Sequence, residues 1–179
     1  TVTINELISY NIKFDYLVFR NKKEFLEDKA ISLGGKKQVI DVGSVKNGLL
    51  KFFIKMKAMV ALFKREQYDV VHVDASTPYD VIVAVAAKVA GIPTIVLHSH
   101  NDDLHGKKPL RDALIPLYKL LMRVVVTDYF TISEKSAKFM FPKSVYEGKR
   151  YTLVKNGIDV EQYTYNKKTR DKIRVELGV

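Results

Sequence analysis

Three of the four histidines and two aspartates stand within eight residues: His98-Ser99-His100-Asn101-Asp102-Asp103-Leu104-His105. Imidazole and carboxylate at this density admit two chemistries. The H-x-H-x-D run of His98, His100 and Asp102 is close to the H-x-H-x-D-H pattern of certain hydrolases, where imidazoles and a carboxylate bind zinc. Against it, Asp103 stands where that pattern wants its last histidine, and no histidine follows His105. The second chemistry is a single histidine facing a substrate, as hydrogen-bond donor or electrostatic stabiliser. The bland reading is a solvated polar loop. His72, inside the run DVVHVD, reads as a core histidine with satisfied hydrogen bonds or one that supports a neighbour.

The elements that must position these groups alternate along the chain. Phe14–Phe19, Val39–Val42, Asp69–Val73, Thr94–Leu97, Asp128–Ile132 and Tyr151–Val154 read as strands. Between them fall helices at Lys22–Leu33, stopped by Gly34-Gly35, at Asn47–Glu66, and from Thr77-Pro78 to Gly91. Further helices are expected near Leu110–Val125, from the capping Ser133 to about Phe141, and from Lys167 to Leu177. In the second helix Phe52, Phe53, Met56, Val60 and Phe63 line one side. The third (VIVAVAAKVA) is apolar nearly all round and predicts a buried crossover helix. Such alternation gives an α/β fold, a Rossmann-like parallel sheet with helices on both faces. Ligands in these sheets bind beyond the carboxyl ends of the strands. That singles out Asp74–Thr77, the polar loop His98–Lys108, and Ser133-Glu134.

The 179 residues suffice for one domain with a real core, and 47% are hydrophobic, too many for a disordered chain. No cysteine is present, which excludes disulfides and thiolate metal sites. No apolar run approaches the roughly 20 residues of a membrane span. The opening Thr1–Asn11 lacks a signal-peptide pattern, and Thr1 in place of Met suggests that the sequence does not begin at the natural start. The formal net charge of +10 favours anionic partners without choosing among them. Neither G-x-G-x-x-G, nor a P-loop, nor a G-x-S-x-G elbow appears, so the usual phosphate loop and the serine-hydrolase site are both missing.

Several stretches come in order: YDVVHVDAS, VAAKVAGIPTIVLHSHN, DYFTISEKSAKFMF, LVKNGIDVEQY and RVELGV. The series resembles the N-terminal domain of family 4 glycosyltransferases of the GT-B type, closest to those building bacterial capsular polysaccharides and exopolysaccharides. The resemblance runs from about Phe14 to the end. It implies that residues 1–155 form the Rossmann-like acceptor-side domain, with its first strand missing. Residues 156–179 would form the hinge and the start of a donor-binding domain. It further implies transfer of a sugar from a nucleotide sugar to a glycan or lipid-linked acceptor, with retention and without a metal or other cofactor. The family histidine falls on His100, with His98 as the alternative register. Ser133, with Glu134 beside it, matches the serine that opens the next helix. Asn101, Ser76 and Thr77 complete the expected acceptor side, and Asn156, Gly157 and Asp159 the hinge.

The departures are also informative. The family's opening strand and Gly-Gly loop are not visible; Thr1–Tyr10 looks like the helix that would follow them. Lys155 stands where proline is common. The donor-side E-x7-E pair is absent, so the chain alone is expected to be inactive. The basic stretches Asn47–Arg65 and Lys107–Arg123 suit an anionic membrane surface, and the resemblance implies a cytoplasmic protein at the inner face of the cell membrane, where many family members use lipid-linked acceptors. The rivals are a metal-dependent hydrolase using His98, His100 and Asp102, and a non-enzymatic basic α/β module. Nucleic acid is not an expected partner, because the basic residues do not interleave with aromatics and no recognition motif appears.

Overall fold

The computed structural model describes residues 12–23, 27–104, 106, 109–157 and 160–179. Expectations for Thr1–Tyr10, His105, Lys107, Lys108 and Asp159 fall outside these residues. Six strands and eight helices are described: β1 Asp15–Val18, α1 Glu27–Ser32, β2 Lys36–Val39, α2 Gly48–Glu66, β3 Val70–Ala75, α3 Val81–Ala90 and β4 Thr94–Ser99. Then come α4 Pro109–Asp112, α5 Ile115–Val125, β5 Asp128–Thr131, α6 Glu134–Met140, α7 Lys143–Tyr146, β6 Thr152–Leu153 and α8 Lys167–Leu177.

Every pairing is parallel, as long crossovers require. β1 pairs with β2, and β3-β4-β5-β6 form a second sheet in chain order. Because each step from β3 to β6 moves the same way, right-handed crossovers send α3, α5 and α6 to one face. Burial in β3 shows the result: Val71, Val73 and Ala75 are buried, whereas Val70, His72 and Asp74 are exposed. β1 and β2 form their own two-stranded sheet, and α1 lies on its Tyr16–Lys37 side, where Lys37 Nζ meets Glu27 at 2.6 Å. Leu17 and Ile40 face the main core instead. The α/β fold with parallel sheets is thus present, with α3, α5 and α6 covering one face of the four-stranded sheet and α1 packing on the two-stranded one.

Boundaries moved where local geometry outweighed pattern. β2 starts three residues earlier than Val39, directly after Gly35. A Cβ there would meet Tyr16 at 2.6 Å and the Phe14 carbonyl at 2.7 Å, so glycine lets β1 and β2 approach. β4 runs on through His98 and Ser99, which the sequence assigned to a loop; the ladder continues opposite Asp74 and Ala75. The expected helix Leu110–Val125 is broken after Asp112, consistent with Pro116, which has no N–H to donate back to that turn. Pro78 opens a short 3-10 turn, and α3 begins only at Val81.

The core joins α2, α3, α5 and α6 to the covered sheet face. Ile95, Leu97, Met59, Val81, Met122, Met140 and Phe141 are fully buried in it. In α2 the buried face is Met59, Leu62 and Phe63, at helical spacing, with Met56 and Val60 packed beside it. Phe52 and Phe53, expected on that face, are exposed at 41% and 59%. α3 lies against β3 and β4 between α2 and α5, as a buried crossover helix should, although Val89 reaches solvent.

Candidate functional site

Residues two apart on a strand share a face. His72 and Asp74 on β3 therefore stand beside His98 on β4, whose register partner is Asp74. His100 follows one step beyond, its N–H donating to the Ala75 carbonyl at 3.1 Å. Three imidazoles surround one carboxylate. Asp74 Oδ1 is 3.1 Å from His100 Nε2, 3.6 Å from His72 Nε2 and 4.0 Å from His98 Nδ1. His72 Nε2 and His98 Nδ1 are 3.2 Å apart, hydrogen-bond distance. Phe130 of β5 closes the row, its ring edge-on to His98.

The environments differ. His98 is 7% exposed, while the Asp74 side chain is open to solvent. Burial, then the neighbouring His100 and His72, push the His98 imidazole down to about 4, with Asp74 opposing. The ring is thus neutral near pH 7. Its Nε2 is buried with no well-aligned hydrogen bond, facing the Val154 backbone. Burial also lowers His72, again against Asp74. His72 is half-exposed, which corrects the expectation of a core histidine, although it does support His98.

Beyond the carboxyl ends of β4 and β5 lies a cleft of about 250 Å³ lined by His100, Asn101, Asp102, Asp103, Ile132, Ser133 and Ser136. A buried hydroxyl pair shapes it. Ser99 Oγ and Ser136 Oγ are 2.6 Å apart, and Ser136 donates to the Asn101 carbonyl at 2.7 Å. Both serines are fully buried, so the bonds fix the loop after β4 against α6. Ser133 caps α6, its hydroxyl accepting from the Ser136 N–H at 3.1 Å.

The structure thus brings His100, Asn101 and Ser133 to one cleft and puts His98 beneath it. Glu134 is exposed beside the cleft and does not line it. Ser76 and Thr77 do not line it either; their N–H groups donate to Asp80 Oδ2 at 3.0 and 2.8 Å and open the turn before α3. Asn156 and Gly157 are exposed after β6. The metal set His98, His100 and Asp102 does not assemble: Asp102 pairs with Lys135 at 2.7 Å, and the carboxylate at the histidines is Asp74. Sequence reasoning missed Asp74 and Ser136 as site residues. Asp74 belonged to a strand end worth watching, but only the β3–β4 register reveals its partners.

Three comparisons bear on identity. The chain is 28% identical over 170 residues to a protein of Bacillus subtilis (strain 168) named "Putative glycosyltransferase EpsF", covering 94% of this chain and 43% of that one. The crystal structure of Anabaena Alr3699/HepE, in complex with UDP, superposes with a TM-score of 0.61 at 15% identity, over 92% of this chain and 42% of the other. The chain therefore spans less than half the length of both. Residues 12–133, more than half of the chain, match the family described as glycosyl transferase 4-like, and the chain belongs to that family.

Proposed function

We propose that this chain is the acceptor-side half of a retaining glycosyltransferase that moves a sugar from a nucleotide sugar to a glycan or lipid-linked acceptor in bacterial surface polysaccharide synthesis. The observation that carries the reading is the cleft at the strand ends, lined by His100, Asn101 and Ser133. At about 250 Å³ it is smaller than an ordinary ligand pocket. A second domain closing over it would complete the site and exclude water.

Two further features support the reading. The helix α8 has no buried residue, and Ile173, Val175 and Leu177 are exposed, as suits a helix belonging to a donor-binding domain after the hinge Asn156, Gly157 and Asp159. HepE was solved with UDP, which favours a uridine nucleotide on the donor side. In this reading His100 donates a hydrogen bond to the donor sugar or its phosphate, and Asn101 and Ser133 orient the acceptor. His98 fixes the loop from below, while Ser76, Thr77 and Glu134 border the acceptor path. The chain by itself binds nucleotide sugars weakly, because the donor groups lie elsewhere. Isothermal titration with UDP- and GDP-sugars tests this; a Kd tighter than about 10 µM contradicts it.

The same reading locates the protein at the cytoplasmic face of an anionic membrane. Helices of a parallel sheet begin at the carboxyl ends of the strands, so the first turns of α2 and α5 flank the cleft end. Those turns expose Leu49, Leu50, Phe52 and Phe53, and Leu114, Leu117 and Leu120, with Lys46 and Lys57 exposed on and beside α2. Apolar and cationic groups together suit an anionic bilayer surface and a lipid-linked acceptor. Sedimentation with vesicles tests it. Binding to anionic vesicles, released near 0.5 M salt where the Debye length is about 4 Å, is expected. Equal binding to neutral vesicles, or none to either, removes the membrane claim.

A further inference from the structure

We propose that His72, Asp74 and His98 bind one divalent transition metal of the zinc type on the open face of the sheet. The case is geometric. His72 Nε2 and His98 Nδ1 are 3.2 Å apart, and Asp74 Oδ1 lies 3.6 and 4.0 Å from them. A point equidistant from these three atoms lies about 2.1 Å from each, within the zinc–imidazole and zinc–carboxylate range of about 2.0–2.2 Å. Among the described residues this is the group of three whose donor atoms converge so closely.

The fold explains the convergence. His72 and Asp74 project from alternate positions of β3, and His98 stands directly opposite Asp74 on β4. Two imidazoles and one carboxylate, with no thiolate, form a donor set for zinc, cobalt or nickel rather than for magnesium or calcium, which take oxygen ligands. Three protein ligands leave a fourth position for water, and the exposed Asp74 and His72 put it on the solvent side. Both buried and exposed ligands have supporting neighbours: the His98 Nε2 faces the Val154 backbone, and His100 Nε2 stands 3.1 Å from the Asp74 carboxylate. In the metal-free chain the two facing imidazole nitrogens stand at hydrogen-bond distance, one ring donating to the other. On binding, the donating ring changes tautomer, its proton passing through solvent to its other nitrogen, and both facing lone pairs then ligate the ion, which clips the end of β3 to β4.

This site is not the His98, His100 and Asp102 set, and it carries no hydrolytic step. Its test is independent of sugar transfer, since metal binding is read on the free chain. The test is titration of the chelator-treated chain with zinc chloride by calorimetry, and with cobalt(II) by its visible ligand-field absorption. One equivalent is expected, with the intensified absorption of a four-coordinate cobalt site. Loss of His98 can unfold the domain because it is buried, so the decision rests on His72→Ala and Asp74→Asn, both on the exposed face. Each should weaken binding by about tenfold or more, with the thermal transition of the metal-free chain unchanged. No binding, several weak equivalents, or affinity unaltered in the double variant overturns the proposal.

Discussion

The two faces of β3 and β4 are built from the same dozen residues and obey opposite rules. On the covered face Val71, Val73, Ala75, Ile95 and Leu97 lie under the helices with almost no solvent contact. On the other, Val70, His72 and Asp74 of β3 are exposed, while Val96 and His98 of β4 beside them are buried. The period-2 geometry of a strand lets one residue stabilise and the next stay available for chemistry. Crossover direction decides which face is which: three right-handed steps taken the same way put all their helices on one side. A domain of this kind separates stability from reactivity across the thickness of a single sheet.

That separation can be broken deliberately. The largest effect is expected on the covered face: Leu97→Ala should cost about 2–5 kcal/mol, because it leaves a cavity in a packed core. His72→Ala, one strand away on the open face, should stay within about 0.5 kcal/mol in metal-free buffer. Urea denaturation of the two variants compares the faces directly; equal losses would mean the open face is part of the core. Next is the buried hydroxyl pair. Ser136→Ala removes the bonds to Ser99 and to the Asn101 carbonyl, at about 1–3 kcal/mol where a buried polar group loses its partner. It should also loosen the loop after β4, seen as faster amide exchange at Asn101 and its neighbours; protection unchanged from the wild type would separate Ser136 from the cleft.

A smaller effect is expected from pH. The His98 imidazole is held down to about 4 in the folded chain, first by burial, whereas an unfolded histidine titrates near 6.5. Between these values the unfolded chain binds the extra proton. His98 therefore leaves stability undiminished above about 6.5, and stability falls as the pH drops toward 4. Thermal melts across that window should show the decline, and His98→Gln should flatten it. A slope that survives in His98→Gln would assign it to other groups.

What the amino-acid order reveals differs between the faces for a related reason. The strand-and-helix alternation, the parallel pairing and the stop at Gly91 follow from local pattern, and they hold in the structure. The cleft residues His100, Asn101 and Ser133 were legible because they follow strands, where parallel sheets place ligands. His98 was misplaced into a loop because a polar pair after an apolar run looks like a strand end. The ladder continues since Asp74 and Ala75 stand opposite, 24 residues earlier in the chain. Asp74 and Ser136 join the site only through contacts across strands or between strand and helix, which no local spacing encodes. Phe52 and Phe53 looked like core by their helical period, yet that period belongs to Met59, Leu62 and Phe63 and does not extend to the first turns.

The central claim is that the open cleft end carries the chemistry while the covered face carries the fold. The most direct test is turnover of the complete protein with its nucleotide sugar, wild type against His100→Ala, with the thermal transition measured on the same samples. A donor of one hydrogen bond to developing charge is worth about 100-fold in rate, so turnover should fall by about that much or more while the transition stays put. Turnover within about threefold of wild type, or a loss explained by a collapsed thermal transition, contradicts the account; a fall on His98→Gln alone would move the reactive histidine two residues back.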